Sequence, residues 1–254
     1  MPDSGPSFSV FLAESERDLR EAQSLRYEVF VRELGATGEG VDHQAGIETD
    51  RFDQYSDHLL LRDDTKGVVV GVYRLLREDQ AARAGCFYTE SEFDLSKLKA
   101  SGRRLLELGR SCLHRDYRGG IAMFHLWNGL TDYVTSHGIE VLFGTASFHG
   151  TDAEKLAEPL SMLYHNHLAP EALRVRALSD HYQSMSLRDP EDIDRKSAMK
   201  QVPALIKAYL RLGGTVGDGA YVDHAFNTTD VCLILDTRAI NARQQRMYSG
   251  LRQT

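Results

Sequence analysis

Two ionisable residues, Glu107 and Arg110, lie on a predicted strand that leads into a basic turn containing Gly119 and Gly120. A predicted helix begins directly after this turn. Glycines let the backbone approach a phosphate group, the first amides of a helix point towards it, and Arg118 adds positive charge. This build fits a site for the phosphates of an acyl carrier. A surface turn with ordinary charges is the alternative.

Glu107 and Arg110 are three positions apart, so on a regular strand their side chains point to opposite faces. A β-bulge would re-aim one of them and bring both to one side of the sheet. The sequence therefore leaves open whether the two side chains act together.

The composition is that of an ordinary globular protein: 254 residues, of which 42% are hydrophobic and 26% charged. A net charge of −7 argues against a general nucleic-acid binder, which needs a basic surface. The scattered cysteines Cys86, Cys112 and Cys232 lack metal-ligand spacing and fit reduced thiols in a cytosolic protein. No signal peptide or membrane-spanning run is recognisable. We therefore expect a cytoplasmic protein, with peripheral contact with the inner membrane as a further option.

Hydrophobic periodicity predicts the elements that position these residues. Ser15 is a candidate cap for a helix that ends at Gly35, and a long loop follows, which is typical of a functional or mobile segment. The predicted strands are 8–12, 58–62, 68–76, the strand of Glu107, 141–148, 173–178 and 230–235, and the later predicted helices are 121–137, one from Thr151 or Asp152 towards His167, and 203–212. Residues 77–103 look like a charged insert. This mixed order predicts an α/β fold.

The order of strand, helix, hairpin, strand, phosphate turn, helix and strand resembles the GCN5-related N-acetyltransferase (GNAT) fold. The turn 117–122 fits that family's pattern, except that Tyr117 stands where the family mostly has Gln or Arg. The resemblance implies a mixed central sheet flanked by helices, with a C-terminal extension. We expect one acyltransferase domain over 1–254, with a core over 1–168 and a C-terminal part, 169–254, packed on it.

A narrower resemblance, over roughly the first 120 residues, is to the acyl-homoserine-lactone synthases. It rests on spaced residues, namely Arg26, Phe30, Asp50, Asp53, Arg74, Glu107 and Arg110. Across nearly the whole chain, the motifs 141–152, 159–161, 203–214 and 223–231 resemble the ornithine N-acyltransferases of bacterial aminolipid synthesis, often labelled hemolysin-like. That resemblance implies transfer of a 3-hydroxyacyl chain from acyl carrier protein to the α-amine of ornithine, which gives lyso-ornithine lipid.

These resemblances assign candidate roles. Such chemistry needs a proton acceptor for the attacking amine, and Glu107 is the first candidate. The predicted catalytic residues are Glu107, Arg110 and Asp53, the predicted substrate-binding residues are Arg26, Phe30, Asp50 and Arg74, and the predicted binding residues for the donor phosphates are Cys112, Leu113, Arg118, Gly119 and Gly120. No metal and no bound cofactor are expected. The expected partners are acyl carrier protein, whose 4′-phosphopantetheine thioester is the co-substrate, and a small amino-acid acceptor.

Several alternatives stay open. In the alternative interpretation of Glu107, it is a salt-bridge partner of Arg110 or Arg74. In the alternative interpretation of Asp50 and Asp53, they are loop or helix-cap carboxylates. Arg26 either fixes an acidic neighbour or binds the substrate carboxylate. The acceptor is otherwise glutamine or a protein lysine. A non-catalytic module that binds acyl carrier protein is the alternative of a different class.

Overall fold

A computed structural model describes residues 6–224 and 226–240 of the chain. The strands are β1 Phe8–Leu12, β2 Val41–Asp42, β3 Ile47–Glu48, β4 Asp57–Asp63, β5 Val68–Arg77, β6 Phe93–Asp94, β7 Leu105–Leu113, β8 Val141–His149, β9 Arg176–Ala177, β10 Tyr182–Gln183, β11 Thr215–Val216, β12 Ala220–Asp223 and β13 Thr228–Asp236. The α-helices are α1 Glu16–Arg26, α2 Glu78–Ala84, α3 Ser96–Ala100, α4 Ala122–Ser136, α5 Ala157–His167, α6 Arg195–Gln201 and α7 Ala204–Arg211.

The first predicted helix forms, and Ser15 caps it as expected. The Ser15 hydroxyl accepts a hydrogen bond from the amide of Asp18 at 3.2 Å, and the Asp18 carboxylate accepts one from the amide of Ser15 at 3.2 Å. After Arg26 the chain continues as a π-helix, Tyr27–Glu33, which the hydrophobic pattern did not predict. π-Helical turns are rare and often occur at functional sites.

The chain divides into two compact units that alternate along the sequence. The described part of unit 1 is 6–85 with 108–138. In it β1 pairs antiparallel with β4, β4 pairs antiparallel with β5, and β7 follows β5 in the strand order. Helix α1 buries its apolar side on these strands. The resulting core consists of Ala22, Leu25, Val29, Leu60, Val72 and Cys112.

Unit 2 comprises 86–107 with 139–224 and 226–240. The first residues of β7, Leu105 to Glu107, pair in parallel with Val141 to Phe143 at the start of β8. Strand β8 pairs antiparallel with β13 over nine residues, and β12 and β10 continue the order. Parallel and antiparallel pairs therefore coexist, as predicted for this α/β fold.

Three local predictions need correction. The stretch 77–103, for which the sequence predicted only a charged insert and no regular element, holds α2, α3 and the short strand β6. The helix predicted from Thr151 or Asp152 begins only at Ala157, since Asp152 instead accepts hydrogen bonds from the amides of the next turn. The strand predicted over 173–178 is reduced to two residues.

The predicted division at residue 168 stays a prediction, and residues 241–254 of its C-terminal part lie outside the described residues. Within the residues that the structure describes, no helix has the length and apolar character needed to cross a membrane.

Candidate active site

Six charged side chains of unit 1 form one network, here called the arginine–carboxylate cluster. Its members are Arg26, Arg74, Arg110, Glu48, Asp50 and Asp53. Arg26 donates from Nε to Glu48 at 2.5 Å and from Nη1 to Asp53 at 2.8 Å. Arg74 pairs with Asp50, and its Nη1 lies 3.6 Å from Asp53. The structure therefore brings together all the predicted catalytic and substrate-binding residues except Glu107 and Phe30.

Arg110 completes the cluster because its backbone is unusual. Its φ of 49° is left-handed, a conformation that few residues other than glycine adopt. Its Nε lies 3.1 Å from Glu48 and its Nη2 lies 2.8 Å from Asp50. The local irregularity that the sequence left open is thus present at Arg110. The preceding residue, Gly109, leaves room for Arg74, because a Cβ at that position would lie only 3.2 Å from Arg74 Nη2 and would press on its guanidinium group.

Charge in the cluster is balanced, with three guanidinium groups against three carboxylates. The Arg26 and Arg74 side chains are almost fully buried, and buried charges are tolerated only when they are paired. Burial raises the pKa of Asp50, but the charges of Arg74 and Arg110 outweigh it and bring that pKa to about 2. Burial likewise disfavours charge on Arg26, and Asp53 and Glu48 reverse this to raise its pKa.

The cluster has a buried part and a more accessible part. Arg26 and Asp53 are buried, which fits the alternative in which Arg26 fixes an acidic neighbour. The Arg110 and Asp50 side chains are 20% and 16% exposed. Asp50 and Asp53 are both paired with arginines, so neither offers a substrate amine an uncompensated negative charge. Phe30, on the π-helix, is half-buried and packs against the core of unit 1.

Glu107 lies in unit 2 and has a different environment. Its side chain is buried, and its carboxylate accepts hydrogen bonds from the Tyr88 amide at 2.9 Å, the Thr89 amide at 2.6 Å and the Thr89 hydroxyl at 2.5 Å. It thus holds the turn at 88–89 in place. The predicted catalytic role is untouched by this finding, but the anchoring role was not foreseen.

The predicted phosphate turn is present between β7 and α4. Gly119 has a φ of 76°, so glycine is needed there for its backbone conformation, while a Cβ on Gly120 would meet only one atom, at 4.0 Å. Amides in the first turn of α4 have no acceptor within the helix and remain available for an anion. The turn therefore has the backbone that the phosphate hypothesis requires.

The side chains around this turn are more constrained than predicted. Arg118 Nη2 donates to Glu33 at 2.8 Å and its Nε donates to the Leu113 carbonyl at 3.0 Å. Burial raises the pKa of the Cys112 thiol to about 12, and that thiol lies in the apolar core. Only the backbone of Cys112 can therefore contribute to a phosphate site, and its thiol is no nucleophile.

Glu48, Thr89 and Asp230 are notable polar residues that the sequence analysis missed. All three are buried. The only sequence signal for Glu48 was its position two residues before Asp50 on an extended segment, and the other two had none. In the described part of the chain, no group of three or more His, Cys, Asp or Glu side chains is arranged to hold a metal ion.

Comparison with known proteins agrees with this architecture. Residues 25–128 match the acetyltransferase (GNAT) domain family. A solved CoA-dependent acyl-homoserine lactone synthase, BjaI, superposes with a TM-score of 0.56 at 14% identity, over 96% of this chain and 89% of that one. The predicted GNAT fold, with its mixed central sheet and flanking helices, is confirmed. The chain is an acyltransferase.

Two relatives that match over nearly their whole length identify the family within the acyltransferases. An L-ornithine N(alpha)-acyltransferase of Rhodobacter capsulatus is 54% identical over 96% of this chain and 95% of its own length. A protein of the same name from Brucella abortus is 44% identical, over 96% of this chain and 89% of its own length. The chain belongs to the L-ornithine N(alpha)-acyltransferase family, which confirms the resemblance inferred from its motifs.

Proposed function

We propose that the protein transfers a 3-hydroxyacyl chain from acyl carrier protein to the α-amine of ornithine and so makes lyso-ornithine lipid. The observation that carries this proposal is the 54% identity, over nearly the full length of both chains, to a protein named L-ornithine N(alpha)-acyltransferase. The GNAT domain match supports the acyl-transfer chemistry itself.

The reaction asks for little chemistry from the protein. The α-ammonium of the acceptor loses a proton, and the neutral nitrogen attacks the thioester carbon. This attack forms the C–N bond of a tetrahedral intermediate. When the intermediate collapses, the C–S bond breaks, the nitrogen loses a second proton, and the phosphopantetheine sulfur takes up a proton and leaves as a thiol. Direct transfer through this intermediate requires no enzyme nucleophile, which agrees with the burial and protonation of the Cys112 thiol.

In this proposal Glu107 accepts the proton of the amine, directly or through a water molecule. Hydrogen bonds from the Tyr88 amide and from the amide and hydroxyl of Thr89 hold this carboxylate in one orientation. The cluster in unit 1 supports a complementary role. Its buried members hold Arg110 and Asp50, which are accessible enough to meet a charged substrate.

The phosphate turn is the proposed contact for the phosphopantetheine arm of the donor. Left-handed Gly119 and the first amides of α4 favour an anion there. Acyl carrier protein is acidic, so Arg115 and Arg118 beside the turn supply complementary charge despite the net charge of −7 of the whole chain. Arg115 is the more available of the two, because its side chain is 75% exposed.

The test is a reconstituted reaction of the purified protein with 3-hydroxyacyl carrier protein and a panel of free amino acids, read by mass spectrometry. The panel contains ornithine, lysine, glutamine and norvaline, and a parallel reaction supplies the same acyl group as a CoA thioester. We expect N-acylornithine to be the main product with the carrier-protein donor. Preferred acylation of glutamine, or binding of acyl carrier protein without turnover, contradicts the proposal.

We also propose that the protein works in the cytoplasm and meets the inner membrane at its periphery, since its product is a lipid. The exposed apolar side chains Leu34 and Ile121 of unit 1 support such a contact. Flotation of the protein with anionic liposomes measures this membrane contact, and the double variant Leu34→Ser/Ile121→Ser is the control. Flotation that this variant does not reduce excludes these two side chains as the membrane contact.

A further inference from the structure

Asp230 is a buried acid on strand β13 in unit 2, and it has no role in the arrangement described so far. Only 5% of the residue is exposed, and Oδ1 has no hydrogen-bond donor among the described residues. Oδ2 accepts a hydrogen bond from the Thr228 hydroxyl at 3.3 Å. No lysine, arginine or histidine in the described stretches forms an ion pair with it. A buried carboxylate in this state is costly and usually marks a place for a partner.

The strand register places Asp230 in the middle of a polar row. It lies directly opposite Ser147 of β8 on one side and Tyr221 of β12 on the other. Residues paired in this way share one face of a sheet. Ser147 is exposed and Tyr221 is partly exposed, so the row opens towards solvent while the carboxylate lies at its base.

The surroundings of Asp230 are negative. Burial raises its pKa to about 6, the hydroxyls of Ser147 and Thr228 lower it in part, and the charge of Asp223 raises it further. Asp223 is on the same face, opposite Thr228 and one row away. Glu92, Asp223, Asp180 and Asp230 all act on Tyr221, whose pKa is raised first by burial and then by these charges. A cation placed here would relieve both burial and repulsion.

Glu107 shares this face of unit 2. It pairs with Phe143 of β8, which lies four residues before Ser147 and therefore projects to the same side of the strand. Glu107, the predicted proton acceptor, and Asp230, the acid without an ion-pair partner, thus lie on the same face of the sheet in unit 2. Asp50 and Asp53, by contrast, are already neutralised by arginines.

We propose that Asp230 receives the side-chain ammonium of the acceptor amino acid and so sets the preference for ornithine over uncharged amino acids. This inference rests on the proposed function. The α-amine must be neutral to attack, and a negative site would hold it in its protonated form. The side-chain amine of ornithine stays charged throughout, so it is the group that suits a carboxylate with an open oxygen.

The experiment measures kcat/KM for ornithine and for norvaline, which is ornithine without its side-chain amine. The variants are Asp230→Asn, which removes the charge at nearly constant volume, and Asp192→Asn, which removes an exposed acid of the same unit that takes no part in this row. We expect Asp230→Asn to lower kcat/KM for ornithine about 30-fold or more and to change the norvaline value less than about threefold. Asp192→Asn leaves the ratio of the two substrates near that of the wild type.

Equal losses for both substrates in Asp230→Asn overturn the inference and place Asp230 at the α-amine or in the scaffold. An unchanged ratio overturns it as well. Asp230→Glu keeps the charge, so it retains most of the preference for ornithine even if its rate falls. If the wild-type protein does not acylate ornithine at all, the proposed function fails first. If the wild type acylates ornithine but Asp230→Asn leaves the ratio of kcat/KM for ornithine and norvaline unchanged, only the inference about Asp230 fails.

Discussion

Arg26 and Arg110 are bridged by one carboxylate: Arg26 Nε lies 2.5 Å from Glu48 Oε2, and Arg110 Nε lies 3.1 Å from Glu48 Oε1. The first arginine ends helix α1 and the second is on strand β7, so Glu48 ties a helix to a strand. Because Arg26 is buried, removing this carboxylate leaves a guanidinium partly unpaired in a low-dielectric environment.

Glu48→Gln should therefore lower the free energy of unfolding by about 2–4 kcal/mol, measured by urea denaturation. The matched control is Glu28→Gln, which breaks an exposed pair with Arg32 on the surface of the same unit and should cost less than about 0.5 kcal/mol. Equal effects of the two variants would show that Glu48 contributes no more than a surface charge.

Glu107→Gln tests two roles at once. The amide loses one of the two acceptor oxygens that the Tyr88 and Thr89 donors use, so stability should fall by about 1–3 kcal/mol. Turnover by the folded fraction should fall about 100-fold or more, because the proton acceptor is gone. Thr89→Ala is the control, since it removes one hydroxyl donor and leaves the carboxylate. Normal turnover of folded Glu107→Gln would limit Glu107 to holding the turn.

Arg118 and Glu33 should affect donor binding in opposite directions. Arg118→Ala removes a positive charge beside the turn, so we expect the apparent KM for acyl carrier protein to rise about 3–10-fold, with a smaller change in kcat. Glu33→Gln removes the carboxylate that holds Arg118, so that KM should fall. Added salt should weaken both effects. If both variants raise KM alike, the ion pair acts on the shape of the turn and not on docking.

Asp230→Asn should be more stable than the wild type at neutral pH, although we expect it to be a poorer enzyme. The pKa of Asp230 is about 6 in the folded chain, against an ordinary 3.8. An acid with a raised pKa costs stability as pH rises from about 4 to about 6, by roughly 2–3 kcal/mol here. The titratable groups facing it, Asp223 and Tyr221, are present in both proteins.

Urea unfolding at pH 4 and pH 7 measures this difference, which should be near zero at the lower pH and near its full value at the higher one. A constant difference between the two pH values would mean that Asp230 is not electrostatically strained in the free protein.

The sequence was a good guide where a local pattern determines structure. Ser15 as a cap, Gly119 in a left-handed turn and the strand before that turn all follow from residues close in the chain. The spacing of Arg26, Asp50, Asp53, Arg74 and Arg110 identified five members of the arginine–carboxylate cluster through a family resemblance.

Features that depend on tertiary surroundings were not predictable. Glu48 resembles any loop acid until Arg26 is known to be buried beside it. The anchoring role of Glu107 depends on the turn at 88–89, within a stretch for which the sequence predicted only a charged insert. Asp230 directly precedes the apolar run 231–235 of β13, and only the elements that cover it decide that Oδ1 of its carboxylate lacks a donor.

Strand β7 belongs to both compact units, which alternate along the chain with changes after residues 85, 107 and 138. No single cut therefore releases either unit as a continuous fragment. During synthesis, unit 1 lacks its second stretch until residue 138 has left the ribosome. The 86–107 stretch of unit 2 has emerged by then, but strands β8 and β13 of the same unit have not yet been synthesised. The Thr89 hydroxyl and the Glu107 carboxylate, both buried in the folded protein, belong to this early stretch. A nascent chain therefore carries them before the rest of unit 2 is present to bury them.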